Sequence, residues 1–381
     1  MKKFIIPFML LLLITVQFSM AANEEAYPVR AKVVELLENT GNETEELGDG
    51  YYYESQFVKV RILEGEHRGK TVIAEHSTTA YFSDYKTFRL KKGDRVFITY
   101  NLNEKGEPAD VYVTDPVRES SLVFLSGLFL LLILIFGRGQ GVKTVITLSL
   151  TVFMIIKIQI PLILKGYPPL LTSVLICSFV ILIGFLIIIG WNVKALAAAL
   201  GTVSGVIVAG ALALITGTSA RLTGLAHEET LMLMNIPQEV NFNFQGLLFS
   251  GIIIGAMGAV MDVGMSIASA LYEIKETNPD TTFYQLVRSG LNVGRDVMGT
   301  MSNTLILAYT GGALNLMLLF TAYEVPFDQI INGDYMASEI VRALAGSIGL
   351  IITIPITTLI AAKLYTSGKQ AAEYDNLDLT D

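Results

Sequence analysis

QGLLFSGIIIGAMGAVMDVGMSIASALYEI (residues 245–274), a polar turn-bearing segment, and GLNVGRDVMGTMSNTLILAYTGGALNLMLLFTAY (290–323) form the stretch Gln245–Tyr323, whose reading decides the fold. Two apolar runs long enough to cross a bilayer each carry polar residues that a plain anchor does not need. Asp262 lies roughly 17 residues into the first run, about 25 Å along a helix and still within the hydrocarbon layer. A carboxylate at that depth costs about 2.5 to 3.5 kcal/mol, so it is retained for a task or paired with something.

Ser266, Ser269 and Glu273 follow Asp262 at offsets of 4, 7 and 11 and share its helical face. Gly255 and Gly251 continue that face outward, where small residues let another backbone approach. In the second run Asp296, Thr300 and Asn303 repeat the offsets of 4 and 7, with Thr304 beside them. On antiparallel neighbours the two stripes are expected to face each other, with Asp262 near the layer of Asn303 and Thr304, as a proton- or ion-binding seam. The competing reading is structural: Asp262 as a hydrogen-bond acceptor satisfied by a neighbouring helix. Gly251, Gly255, Gly258 and Gly264 would permit helix movement. Gly311 and Gly312 interrupt the second run, either as a break of the kind found at transporter binding sites or as a packing kink.

With 52% hydrophobic and 16% charged residues over 381 positions, the chain is too apolar for a soluble protein of its size and reads as a polytopic membrane protein. A net charge of −8 argues against a nucleic-acid partner. Cys177 is the only cysteine, so no intramolecular disulfide and no CxxC metal site can form. No metal site and no cofactor are implied.

Lys2 and Lys3 ahead of an apolar run, ending in Ser19-Met20-Ala21, give residues 1–22 the pattern of a signal peptide or an uncleaved signal anchor. Residues 23–117 are charged, aromatic and alternating. In FVKVRIL, Val58, Val60 and Ile62 point one way while Lys59 and Arg61 point the other, as in a half-buried strand. Further strands are expected near Arg30–Leu37, Lys70–His76, Arg95–Tyr100 and Asp110–Thr114, with turns at Gly65, Gly93 and Gly106. Five short strands with a helical turn near Tyr81 suggest a small extracytoplasmic OB-like β-barrel. His67 and His76 could share a metal, but without a third spaced ligand they read as bystanders.

Residues 118–363 read as an α-helical transmembrane bundle. Seven spans are expected: Leu122–Phe136, Val142–Leu164, Leu170–Ile189, Ala195–Ile215, Leu247 to about Ser269, Val297–Phe320 and Ala337–Lys363. With the barrel outside, the inner loops hold Arg138, Lys143, Lys194, Lys275, Arg288, Arg295, Lys363 and Lys369, against Lys165, Arg221 and Arg342 outside. The cytoplasmic (cell) membrane with an internal acidic tail, residues 364–381, is the expected location. The fourth span has Ala197, Gly201, Gly205, Ala209, Ala213 and Gly217 at every fourth position, a face for tight static packing or for sliding. His227, Glu228 and Glu229 sit in an outer segment beside Leu231–Met234, read as an interfacial helix at an external mouth. Thr281 or Asp280 is expected to cap a short inner helix that ends at Gly290, with Gly294 at the entry to the next span.

GAMGAVMDVGMSIASALYEI followed by GLNVGRDVMGTMSNTLILAYTGGALNLM resembles the signature of the YibE/F-like membrane proteins, and the layout of signal, exported β-domain and helical block is similar to the longer members of that family. The resemblance implies a multi-pass membrane protein, some relatives of which occur as a longer and a shorter chain that assemble together. A looser likeness, to SecD/SecF and RND transport modules, would put Asp262 in their intramembrane acidic position and Thr300, Asn303 and Thr304 in their polar span.

The leading functional expectation is a secondary, proton-coupled transporter or export component in which protonation of Asp262 biases two packings of the fifth and sixth spans. The alternative is a non-catalytic scaffold or sensor whose exported barrel binds a partner. The chain holds no GxSxG elbow, HExxH helix or GxxxxGK[ST] loop, so an enzyme is not expected. Expected partners are the bilayer, an unknown solute, and a shorter related chain or a second copy.

Overall fold

The computed structural model describes residues 28–37, 45–48, 51–80, 89–235 and 241–367. The signal segment, the tail from residue 368 and the helical turn expected near Tyr81 lie outside them. The chain divides into two compact units, Phe18–Leu132 and the helical part from Ile133.

Six strands make up the first unit: β1 (Val29–Leu36), β2 (Glu45–Gly48), β3 (Tyr51–Ile62), β4 (Thr71–Ala80), β5 (Arg95–Leu102) and β6 (Pro108–Pro116). They pair in the order β1-β5-β6-β4-β3-β2, and β1 also pairs with β3, which closes a five-stranded barrel and leaves β2 as an appendage on β3. The closing contact of β4 with β6 is parallel, Glu75 opposite Tyr112, and the other pairings are antiparallel. This is the OB-like order, and the alternation dictates it. Val58, Val60 and Ile62 are fully buried with Val33, Ala74, Val96 and Ile98, while Lys59 on the opposite face pairs with Glu35 at 2.9 Å. Gly65, Gly93 and Gly106 all have positive φ, as their turns require. Gln56 ties the returning chain down: its side chain donates to the Leu90 carbonyl at 3.1 Å and accepts from the Leu90 amide at 2.9 Å.

The helices are α1 (Glu119–Phe153), a π-helical turn Met154–Gln159, α2 (Ile160–Leu164), α3 (Pro169–Ile188), α4 (Val193–Ser219), α5 (Glu228–Met232), α6 (Phe244–Thr277), α7 (Phe283–Gly312), α8 (Leu314–Ala322), α9 (Phe327–Asn332) and α10 (Asp334–Thr366). By length and composition five segments can cross a membrane, or six when α7 and α8, bent by 57°, count as one broken span. The expected seven differ from this in one place. Glu119–Leu164 is one 46-residue candidate, about 69 Å long at 1.5 Å per residue, more than twice the hydrocarbon thickness. Arg138 interrupts it with φ 47° and ψ −123°. A Cβ built on Gly141 would run into the backbone of Ile133 and Leu134, residues that a straight helix would hold about 11 to 12 Å away. The chain therefore turns sharply at the position where the sequence separates two spans.

The core of the helical unit is α4 packed between α6 and α10, and small residues make it possible. Ala197, Gly201, Gly205, Ala209, Ala213 and Gly217 are all buried. A Cβ on Gly201 would lie 2.7 Å from Thr357 Cβ of α10, and one on Gly349 of α10 would lie 2.6 Å from Ala209 Cβ. On the other flank Gly264 of α6 seats against Thr202, and Gly210 against Ile253. The small-residue face is a packed contact on two sides.

One local expectation is corrected. α7 begins at Phe283 with Thr282, not Thr281 or Asp280, as its cap, in a reciprocal capping box with Gln285. The helix then runs through Gly290 and Gly294 without a stop. Both glycines are buried against α10, at Thr358 and Ile354, where a side chain would collide. They are packing positions inside a helix, a role that the sequence pattern of a C-cap does not distinguish.

Candidate functional site

The face that carries Asp262 on α6 is where the helical period puts it, but it points outward from the bundle. Gly251, Gly255, Gly258 and Asp262 are exposed and Ser266 and Ser269 half-buried, while Val260, Val263, Gly264 and Ile267 on the opposite side are buried. Asp262 stands close to the middle of the 34-residue helix. α7 runs antiparallel alongside, with Gly294 beside Ile267 and Tyr309 beside Gly255. Interpolating between those contacts sets Asp262 at the level of roughly Thr300, about one helical turn from Asn303.

Depth is shared, but the expected seam is not closed within one chain. Thr300, Asn303 and Thr304 are exposed like Asp262. Thr300 donates to the Val297 carbonyl at 3.0 Å and Thr304 to the Thr300 carbonyl at 2.9 Å, so both hydroxyls serve their own helix. Glu273 is exposed at the far end of α6, with Lys194 of α4 at 3.9 Å. It belongs to the bundle rim, not to a layer with Asp262. Gly311 and Gly312 end α7, and α8 departs at 57° with all but two of its residues exposed.

A second cluster, drawn from parts of the sequence that share no motif, gathers at the opposite rim. His227, in front of α5, stacks on Tyr335 of α10 with ring centroids 4.6 Å apart. Its Nε2 lies 3.8 Å from Glu339 Oε1, and Arg342 Nη2 approaches the same oxygen at 3.5 Å. Tyr309 of α7 reaches the same level: Leu305, one turn from it, meets Gly346, one turn from Arg342. The loop that presents His227 is anchored by Thr223, whose hydroxyl and amide both donate to the Asp334 carboxylate, the amide at 3.2 Å. Gln245 donates to the Leu222 carbonyl at 2.9 Å from the start of α6. The signal available in sequence was a Glu-x-x-Arg pair at the start of the last span. Its companions lie more than 100 positions earlier in the loop and about 30 earlier in α7, and no local pattern links them.

A third polar group lies inside the bundle. Gln159, on the π-helical turn, donates through Nε2 to Ser173 of α3 at 2.8 Å and to Ser250 of α6 at 3.1 Å, and the two serine hydroxyls bond each other. All three are buried. The π turn rotates Gln159 inward where a regular helix would continue its previous face, and the amide then holds three helices together.

Comparison with known proteins gives a match to the family described as YibE/F-like protein over residues 125–367, more than half the chain, and to the YibE/F family N-terminal domain over residues 28–116. Neither a curated protein nor a solved structure matches. The two matches coincide with the helical bundle and the barrel, and they lend no support to the likeness with SecD/SecF. The chain belongs to the YibE/F-like family.

Proposed function

We propose that this protein is a subunit of a proton-coupled secondary transporter or export assembly, with Asp262 as the coupling carboxylate. One observation carries the reading: an aspartate at the middle of a membrane-length helix, level with Thr300 and near Asn303, on an outward face built from Gly251, Gly255 and Gly258. Facing acyl chains, that carboxylate would cost about 2.5 to 3.5 kcal/mol. A second membrane chain, either a copy of this one or a shorter relative, removes that cost by covering the face, and the glycines let its backbone approach. Two packings of that interface, one suited to the neutral acid and the other to the carboxylate, would link proton entry to movement.

Seven crossings, with the break at Arg138 dividing the first candidate, would leave the barrel and the C-terminus on opposite sides, and the distribution of lysine and arginine over the loops supports a barrel outside the cell membrane and an internal C-terminus. The barrel's separate core supports a second reading, in which an exported sensor domain binds a partner and the helices anchor it. Purified protein in liposomes under an imposed pH gradient tests the first. Asp262→Asn should insert normally and lose gradient-driven flux of candidate solutes, and flux equal to wild type would end the proposal. Deleting the barrel separates the two readings, because a transporter keeps some flux and an anchored sensor keeps no response.

A further inference from the structure

The rim cluster of His227, Tyr309, Glu339 and Arg342 is short of hydrogen-bond acceptors. Arg342 Nε, Tyr309 Oη and His227 Nε2 are all buried without a hydrogen-bond partner, and so is the hydroxyl of fully buried Ser338, one helical turn from Arg342. Each such atom, left unpaired, has lost its bonds to water without replacement, which disfavours the site until a partner fills it. The only carboxylate in the group, Glu339, stands between Arg342 and His227. What would complete the cluster is an oxygen-rich anionic group for the arginine and the hydroxyls. A lone anion would be repelled by Glu339, whereas one that carries an ammonium on the same short molecule would satisfy both sides.

Depth and surroundings narrow the source. α10 has 33 residues, about 50 Å, which exceeds the roughly 30 Å hydrocarbon layer by about 10 Å at each end. Glu339 and Arg342 lie five and eight positions into α10, about 8 and 12 Å along it, at the boundary between headgroups and acyl chains. Leu231, Met232, Leu233 and Met234, which follow His227 by a few residues, are exposed. Apolar side chains next to a polar cradle at that depth suit a ligand with a charged head and hydrocarbon tails.

We propose that this rim cluster binds the headgroup of a phospholipid bearing a primary amine. Its phosphate takes the Arg342 Nε–H and the Tyr309 hydroxyl, its ammonium takes Glu339, and its chains cover Leu231–Met234. The same phosphate chemistry could be met by free phosphate, so the test separates the two. The full chain, purified in neutral detergent, is titrated calorimetrically with short-chain phosphatidylethanolamine, with phosphatidylcholine of equal chain length and with inorganic phosphate. The ethanolamine lipid should bind at least about tenfold more tightly than either other ligand. Arg342→Gln and the milder Tyr309→Phe should each weaken it by about tenfold, the loss of one hydrogen bond to a charged group. Equal binding of the two lipids, binding of phosphate as tight as that of the lipid, or unchanged affinity in a folded Tyr309→Phe protein would each overturn the assignment.

Discussion

Replacing Gly349 with alanine tests whether the bundle is held by backbone approach at the α4–α10 contact. The added methyl carbon would lie 2.6 Å from Ala209 Cβ, 3.0 Å from the Gly205 carbonyl oxygen and 3.3 Å from Ala209 Cα. Ordinary carbon contacts sit at about 3.5 to 4.0 Å, and none of these atoms can rotate away, because a methyl on Ala209 moves only with its backbone. The helices must part by about 1 Å. Overpacking of that kind costs about 1 to 3 kcal/mol, against a gain of up to about 1 kcal/mol from alanine's better helix propensity. Gly127 on α1, not on the Asp262 face of α6, is the internal control, since a Cβ there meets nothing within 4 Å, and Gly127→Ala should be neutral or slightly stabilising. The two alanine variants should therefore differ by about 2 kcal/mol, roughly thirtyfold in the unfolding equilibrium. Denaturant unfolding of each variant in the same micelles reads that difference. If Gly349→Ala and Gly127→Ala unfold together, close approach at α4 is not what holds the bundle.

Two further outcomes follow from local geometry. Arg138 adopts φ 47° and ψ −123°, a backbone state that costs a residue with a side chain about 1 to 3 kcal/mol. Arg138→Gly should raise stability by about 1 kcal/mol in thermal unfolding, and a loss of stability would mean that the guanidinium contributes more than the turn costs. In the barrel, the hydrogen bond from Lys59 and then its charge hold the Glu35 carboxyl below its ordinary pKa of 4.5. The linked stability is present above the unfolded carboxyl's pKa and is lost as pH falls through the lower folded value. Carboxyl chemical shifts followed through an acid titration should show that depression, and Lys59→Met should remove most of it. A titration of Glu35 that Lys59→Met leaves unmoved would refute the pairing.

Much of the barrel was legible because burial there follows a period of two. Val58, Val60 and Ile62 alternate with Lys59 and Arg61, and turn glycines mark the ends. β2 was not legible: Glu45–Gly48 is a short, acidic piece with no alternation, and only its pairing with Tyr51–Tyr53 makes it a strand. In the bundle, the small-residue period of α4 and the polar face of α6 were both readable, since a helical face needs only its own spacing. What lies opposite a face is not written in that spacing. Spacing therefore assigns Asp262 and Asn303 to each other across a seam that one chain leaves open, and leaves His227 and Arg342 in separate outer segments. Gly290 resembled a helix stop because a glycine required by a neighbouring helix and a glycine required by a left-handed turn are the same letter.

The pairing of β1 with β3 has a consequence for anything the barrel domain recognises. Among the described strands four-residue β2 has an open margin, and β4 meets β6 at a single bridge, Glu75 opposite Tyr112, so β2 and that seam are where an incoming polypeptide could pair by its backbone. Recognition elsewhere on the barrel is written in side chains and loops, where single substitutions can retune it without disturbing the scaffold.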